Sequence, residues 1–315
     1  MKVFVLAPRE NWIVDRFVQE WYESNSDIST QNIQEADIIW LLADWCWNQV
    51  PPQILQEKTV VCTVWHLVPE KFNKAEWDLR ECYVDFYHAP SVKSMEQIRQ
   101  LAGAQKPIWS QLPWVNSDIW FPMENKTELR LKYGLDENSF VIGSFQRDTE
   151  GHDLISPKLE KGPDQFCDAV QEIYAEGLRR CSKPVHVLLG AWRRQYVMKR
   201  LSNSGIPYTY VDRPSSQHLN EMYNCLDLYI VASRFEGGPQ SIVECAATRT
   251  PVISTDVGLA SQILHPASLF DPNIQDHSAL EVTPDTKFAF RSVEPLLTPD
   301  GFTPFRTFFQ GLAVS

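Results

Sequence analysis

The residues best placed to do chemistry lie in one run, Ser233–Gly258, which reads SRFEGGPQSIVECAATRTPVISTDVG. An apolar segment ending near Ala232 leads into Glu236, Gly237 and Gly238, then into Pro239, Gln240 and a helix-like stretch to about Thr248. The pattern is strand, glycine loop, helix. Gly237 and Gly238 permit close approach of a ligand to the backbone, and Pro239 suits the first helical position, where its missing N–H costs nothing. The free N–H groups of a helix start at a strand's carboxyl end form an anion site, suited to a diphosphate. Glu244, farther along the helix, can accept hydrogen bonds from a ribose diol while Glu236 faces a sugar.

Such a loop needs a scaffold that sets strand ends side by side. Apolar runs of strand length recur at Val3–Ala7, Ala36–Ala43, Thr59–Trp65, Phe140–Phe145, Val185–Ala191, Asp227–Ala232 and Pro251–Thr255. Several are rich in Val and Ile with apolar residues on both faces, as buried parallel strands are. Helical periods lie between them at Ile13–Trp21, Ser91–Leu101, Asn125–Tyr133 and Pro163–Leu178. The alternation predicts an α/β protein with mostly parallel sheets covered by helices. The irregular, proline-flanked Trp109–Pro122 divides the chain into an N-terminal domain over 1–122 and a C-terminal domain over 123–300. Asp271–Asp300 reads as loop, and Phe302–Leu312 as a closing helix within 301–315.

Charge narrows the function. The 315 residues carry a formal net charge of −11. Residues 1–122 hold 10 basic and 16 acidic side chains, and residues 123–315 hold 19 and 24. Neither half offers the clustered Lys and Arg that nucleic acid or an anionic bilayer requires. The longest apolar stretch, Ala36–Trp47, contains two aspartates and falls short of the ~20 residues of a membrane span. The start lacks a signal-peptide core. Seven scattered cysteines without CxxC or Cys/His spacing predict buried thiols in a reducing cytoplasm. No GxGxxG follows the first strand, which removes a dinucleotide dehydrogenase. Among the tryptophans, Trp21, Trp40 and Trp65 fit core packing, whereas Trp12, Trp45 and Trp47 follow strands, where open sheets bind ligands.

Glu236-x7-Glu244 with Ala246–Ile253 and Asp256-Val-Gly258 resembles the signature of retaining GT-B glycosyltransferases, specifically glycosyltransferase family 4. Upstream, Val115–Pro122 with Arg130–Leu135 resembles the family's inter-domain linker, Phe140–Arg147 its first C-domain strand, Lys161–Asp164 its Lys-Gly segment, and Val187–Gly190 its next strand. The resemblance covers residues 108–270 well and 1–107 loosely. It implies a GT-B fold, two Rossmann-like domains with parallel sheets facing a central cleft. It implies metal-independent, retaining transfer of a sugar from a nucleotide-diphosphate donor, UDP- or GDP-linked, to a hydroxyl of a glycan, glycolipid or small molecule. Arg147 and Lys161 would neutralise the diphosphate, Glu236 would contact the transferred sugar near its anomeric carbon, and Glu244 would bind the ribose. His66, after the third strand, would point at sugar and acceptor; Gly237, Gly238, Pro239 and Gln240 complete the donor loop. No metal and no cofactor beyond the sugar nucleotide is implied: the chain has no Asp-x-Asp, and cationic side chains take the ion's place. The implied partners are the nucleotide sugar and a sugar or lipid-linked acceptor, which leaves peripheral membrane contact open.

The sequence also departs from that family. Its first loop is Pro8–Trp12 in place of a Gly-Gly pair. The 13 residues Asp148–Glu160 separate Arg147 from Lys161 and contain His152, Asp153 and Lys158, so Lys158 is an alternative phosphate lysine. Trp192 follows Gly190-Ala191, where a short glycine-containing turn is common. Arg249 replaces the glycine usual after the helix, a place that often needs φ > 0 and costs other residues roughly 1 kcal/mol. Two rival readings follow: a sugar-nucleotide-binding protein without transfer activity, and a GT-B epimerase or phosphorylase.

Overall fold

The computed structural model describes residues 1–10, 13–151, 153–179, 183–274, 279 and 282–312. The chain divides into two compact units, Met1–Asn116 with Thr298–Ser315, and Ser117–Leu297. In the first, strands and helices alternate as β1 (Val3–Leu6), α1 (Ile13–Ser24), β2 (Ile38–Leu41), α2 (Pro52–Glu57), β3 (Thr59–Thr63), α3 (Lys74–Glu81), β4 (Phe86–Ala89), α4 (Val92–Gln97) and β5 (Ile108–Ser110). The second runs α5 (Lys126–Lys132), β6 (Phe140–Ser144), α6 (Pro163–Arg179), β7 (Val185–Leu189), α7 (Gln195–Asn203), β8 (Tyr208–Tyr210), α8 (Ser216–Cys225), β9 (Leu228–Val231), α9 (Gln240–Thr248), β10 (Val252–Ser254), α10 (Ala260–Ile263) and α11 (Thr286–Val293). The closing helix α12 (Thr303–Leu312) belongs to the first unit.

Among the described residues each unit holds one five-stranded sheet, all parallel, which is the expected α/β class. In the first unit the sheet order follows the chain, β1-β2-β3-β4-β5. Before crossing to β2 the chain passes the outer edge of β1, where Ser29 bridges Val3 in parallel. That detour sets α1 on one face of the sheet and α2, α3 and α4 on the other. The side chains sort with period two. Val3, Val5, Ile38, Trp40 and Val61 pack with Phe17 and Trp21 of α1 and Phe305 and Phe309 of α12. Ile39, Leu41, Val60 and Cys62 meet Leu55, Trp77 and Ile98.

The first core is built from indoles whose N–H groups find acceptors, as burial demands. Trp21 Nε1 donates to Ser29 Oγ (2.9 Å), Trp40 Nε1 to Thr63 Oγ1 (2.8 Å) and Trp114 Nε1 to Glu20 Oε2 (2.8 Å). Trp65 is half-buried and donates to Leu42 O. These are packing residues, as their spacing predicts. Trp47, expected at a ligand surface, instead packs into the second core with 9% exposure and stacks on Tyr83. Trp45 is exposed, and Trp12 lies outside the described residues. Cys46, Cys62, Cys167, Cys225 and Cys245 are buried free thiols and Cys82 is an exposed one; Cys181 lies outside the described residues. No helix among the described residues is long and apolar enough to cross a membrane.

Four stretches differ from their sequence reading. Asp271–Asp300 contains α11, whose start is capped by the Asp285 carboxylate accepting from Phe288 N (2.9 Å) and whose Ala289 and Val293 are buried one turn apart. Flanking prolines and polar residues hide that short period. β4, β5 and β8 carry His, Trp-Ser and Tyr-Thr-Tyr rather than Val/Ile runs, so they escape a search for apolar segments.

The second unit has the order β10-β9-β6-β7-β8. From β6 the chain winds outward through α6, β7, α7 and β8, then returns through α8 to β9 on the other side of β6. The strand order therefore reverses between β6 and β9. In open α/β sheets, ligands bind at such a switch, outside the carboxyl ends of the strands.

Candidate functional site

Both loops flanking that switch carry expected site residues. β6 ends at Ser144 and continues into Gln146 and Arg147; β9 ends at Val231 and continues through Ser233 to Glu236 and the glycine pair. Lys161 closes a 3₁₀ turn, Leu159–Lys161, followed by Gly162 at φ 58. A Cβ on Gly162 would stand 1.7 Å from Ala232 O, so only glycine lets this turn press onto the end of β9. Arg234 N and Phe235 N both donate to Glu160 O (2.8 and 3.1 Å), and the Arg234 guanidinium forks onto the Asp164 carboxylate (2.8 and 2.7 Å).

These ties bring Lys161 Nζ to 2.6 and 2.7 Å from the two carboxylate oxygens of Glu236. Within the β9 loop Ser233 Oγ donates to Glu236 Oε1 (3.1 Å), and within the β6 loop Gln146 Nε2 donates to Lys161 O (2.8 Å). Lys161 is 21% exposed and Glu236 10%, so the charges act in a partly desolvated site where fixed electrostatics is stronger than in bulk water. Gly258, at φ 51, supports the loop from below: a Cβ there would lie 2.8 Å from Glu236 O and 2.6 Å from Gly237 O.

Pro239 precedes α9 instead of opening it. Its ψ of 103° is extended, so the helical run begins at Gln240, whose Nε2 donates back to Gly238 O (3.1 Å). Glu244 sits in the second turn, 5% exposed, and accepts from Tyr223 Oη (2.9 Å). Burial and the neighbouring Glu244 charge push the Tyr223 hydroxyl well above its ordinary range, which keeps it a donor.

Arg147 points to the β7 side. Its Nε donates to Thr149 O (2.8 Å) and its guanidinium lies 5.5 Å from the Trp192 ring, which Arg193 and Arg213 approach at 4.6 and 5.3 Å. The added residues after Arg147 fold back as an antiparallel turn, with Thr149 bridging Pro157 and Lys158 N donating to Asp148 O (2.8 Å). His152 lies outside the described residues. The structure thus sets Lys161 on Glu236, Arg147 beside Trp192, and Lys158 at the base of the turn. His66 stands three residues beyond β3 in the first unit and is half-buried.

The sequence reading overlooked several supports. Tyr223 meets Glu244 only through the packing of α8 on α9, a contact with no local signal. Asp148 and Arg194 form a buried pair (3.5 Å) beneath β6, where Arg194 Nη2 donates to Ser144 Oγ (3.0 Å) and burial pushes the Asp148 carboxyl up to about 6. Among the described residues no group of three or more His, Cys, Asp or Glu is arranged to hold a metal ion.

Two parallel-sheet units, the second carrying a glycine loop and helix at its switch point, make up the GT-B fold. Residues 154–280 match the model of the family described as glycosyl transferases group 1. The chain is 25% identical over 183 residues to the lipopolysaccharide core biosynthesis mannosyltransferase LpsB of Rhizobium meliloti (strain 1021). That alignment covers 56% of this chain and 48% of LpsB, so the chain spans about half the length of the relative it matches. The fold is similar to that of Anabaena HepE in complex with UDP and glucose, with a TM-score of 0.75 and 14% identity over 100% of this chain and 99% of that one. It is also similar to sucrose-phosphate synthase from Thermosynechococcus elongatus, with a TM-score of 0.69 and 14% identity over 98% and 81% of the two chains.

Proposed function

We propose that this chain is a retaining glycosyltransferase that uses a nucleoside diphosphate sugar. The observation that carries the reading is Lys161 held on Glu236 at the β6/β9 switch, beside a glycine loop that feeds α9. An ammonium set there stabilises the charge that develops on a departing diphosphate. The start of α9 adds oriented N–H groups on the same side. Arg147, on the neighbouring loop, supplies a second cation, and the buried Glu244 is positioned to accept from a ribose diol. Glu236 contacts sugar hydroxyls and orients Lys161.

In the proposed reaction the bond from the anomeric carbon to the β-phosphate oxygen breaks, and a bond to the acceptor oxygen forms on the same face. The acceptor proton passes to the departing phosphate. The side chains supply positioning and charge, the two effects that lower such a barrier most. His66 is assigned to the acceptor side on the family resemblance and on its place directly beyond β3. LpsB is named a mannosyltransferase and HepE binds UDP and glucose, which supports the sugar-nucleotide class of donor. Buried free thiols support a reducing cytoplasm as the working compartment.

Thermal-shift titration with UDP, GDP, dTDP and CMP tests the reading. A ligand that binds only the folded chain adds about 2.7 kcal/mol of stability at a hundred times its Kd. One diphosphate is expected to stabilise the wild type, with the response weakened in Lys161→Ala and Glu244→Ala. No response to any of them contradicts the donor site. A response without sugar transfer favours a binding protein, and conversion of the donor without acceptor favours an epimerase.

A further inference from the structure

Three cations converge at the end of α9 remote from the glycine loop. Arg249 follows the helix in the left-handed conformation, at φ 57 and ψ 27. Its guanidinium carbon lies 4.4 Å from the centroid of the Phe290 ring. Lys287 and Arg291 stand four residues apart on α11, hence on one face of that helix. With Thr286 and Phe290 these residues line a cavity of about 210 Å³.

The arrangement runs against the rest of the molecule. The chain carries a net charge of −11, yet among the described residues Arg249, Lys287 and Arg291 have no carboxylate partner. Like charges at i, i+4 repel. A non-glycine residue with φ > 0 is strained, and here the strained residue is the one that brings a third charge to the cavity. Arg249 does not act as a cap on the carbonyls of α9, because its own N–H and that of Thr250 already satisfy Ala246 O and Cys245 O (3.2 and 2.9 Å). Phe290 holds the guanidinium over the cavity, which pre-orients a donor fork that matches phosphate geometry. The first turns of α11 add positive potential from the helix dipole, and the Asp285 carboxylate is occupied in capping Phe288 N.

We propose that this cavity is a second anion site, which takes the phosphoryl group of a small phosphomonoester. At about 210 Å³ it has room for a phosphate with a small polar body. It falls below the ~300–1,000 Å³ of pockets that enclose larger ligands. The site is separate from the donor crevice: α9, at about 1.5 Å rise per residue, sets Arg249 about 13 Å from the glycine-loop end.

The test titrates orthophosphate, glucose 6-phosphate and vesicles containing phosphatidic acid into the full chain by calorimetry. The wild type is compared with Arg249→Gly, Lys287→Ala/Arg291→Ala and Lys161→Ala. Arg249→Gly is informative because glycine accepts φ 57 without strain, so the variant keeps its fold. Glucose 6-phosphate is expected to bind wild type and Lys161→Ala alike, and to bind Arg249→Gly and the double variant at least tenfold more weakly. Binding of vesicles alone, with the same dependence on Arg249, assigns the phosphoryl group to a lipid headgroup. Unchanged affinity in Arg249→Gly, or no binding of any probe to the wild type, overturns the proposal. Loss in Lys161→Ala alone also overturns it, since the phosphate would then sit in the donor crevice and the reading of that crevice would survive.

Discussion

Lys161 Nζ contacts both carboxylate oxygens of Glu236, 75 residues away in the chain, at 2.6 and 2.7 Å. The pair joins the β6–α6 loop to the β9–α9 loop across the point where the strand order reverses. An exposed ion pair contributes about 0–1 kcal/mol, and the desolvation that comes with partial burial offsets the added attraction, so the value of this pair for stability is modest. In the proposed reaction its worth lies in fixing an ammonium where the diphosphate departs.

Lys161→Ala is therefore expected to fold with a stability within about 2 kcal/mol of wild type. Turnover should fall by about 10²–10³, the cost of losing one preorganised charge-stabilising group. Steady-state rates with the donor found by titration, alongside denaturant melts, measure both. Near-wild-type turnover would move the role to Lys158.

Glu244 and Tyr223 offer a graded test. Glu244→Ala removes the buried carboxylate and should weaken nucleotide binding, while Tyr223→Phe deletes only its hydroxyl partner at 2.9 Å. The second change leaves a buried acceptor short of a donor, a cost of about 1–3 kcal/mol in stability, with a smaller loss of affinity. Calorimetric titration of the nucleotide into both variants separates them. Equal, wild-type affinity in each would remove Glu244 from the site.

Three glycines with φ > 0 separate conformational from steric cost. Gly134 has φ 66 and nothing within 4 Å of an added Cβ, so Gly134→Ala should cost only the backbone term of about 1 kcal/mol. Gly162→Ala and Gly258→Ala add contacts of 1.7 and 2.6 Å to backbone oxygens of Ala232 and Gly237. Both are expected to lose at least about 2 kcal/mol and to blunt the nucleotide-induced thermal shift. If all three melt alike, the close approach that positions Lys161 and Glu236 is not present in solution.

His88 gives a pH signature to the first unit. Its Nε2 donates to Gln111 O (3.0 Å), its Nδ1 accepts from Thr63 Oγ1 (2.9 Å), and burial depresses its pKa to about 4. The unfolded chain takes up the proton near pH 6.5, so the contribution to stability is complete above 6.5 and is lost as pH falls through the folded value. At about 1.4 kcal/mol per unit, that contribution is on the order of 3 kcal/mol. Denaturant melts from pH 7.5 to 4.5 should show the stability gap between wild type and His88→Gln narrowing as pH falls. A constant gap would mean that the ring is not held neutral.

Much of this protein was legible in the chain itself. Alternating apolar runs and helical periods are set by neighbours in sequence, so the α/β class and seven of the strands follow from hydrophobic spacing, with small shifts at their ends. The loop Glu236–Pro239 and its helix follow from glycine, proline and periodicity, which act over a few residues. β4, β5, β8 and α11 were not legible, because their polar or aromatic residues are stabilised by what lies beside them in space. Only the tertiary structure decided that β6 and β9 are neighbours, since sheet order depends on which way each crossover winds. From that fact follow the meeting of Lys161 with Glu236 and the demand for glycine at 162, while the pairing of β10 with β9 sets the demand at 258 and the packing of α8 on α9 sets the hydrogen bond from Tyr223 to Glu244. The same packing gathered Arg249, Lys287 and Arg291 around one cavity. Charges nearly 40 residues apart carry no local signal of one another, and only the docking of α11 beside the end of α9 makes them a site.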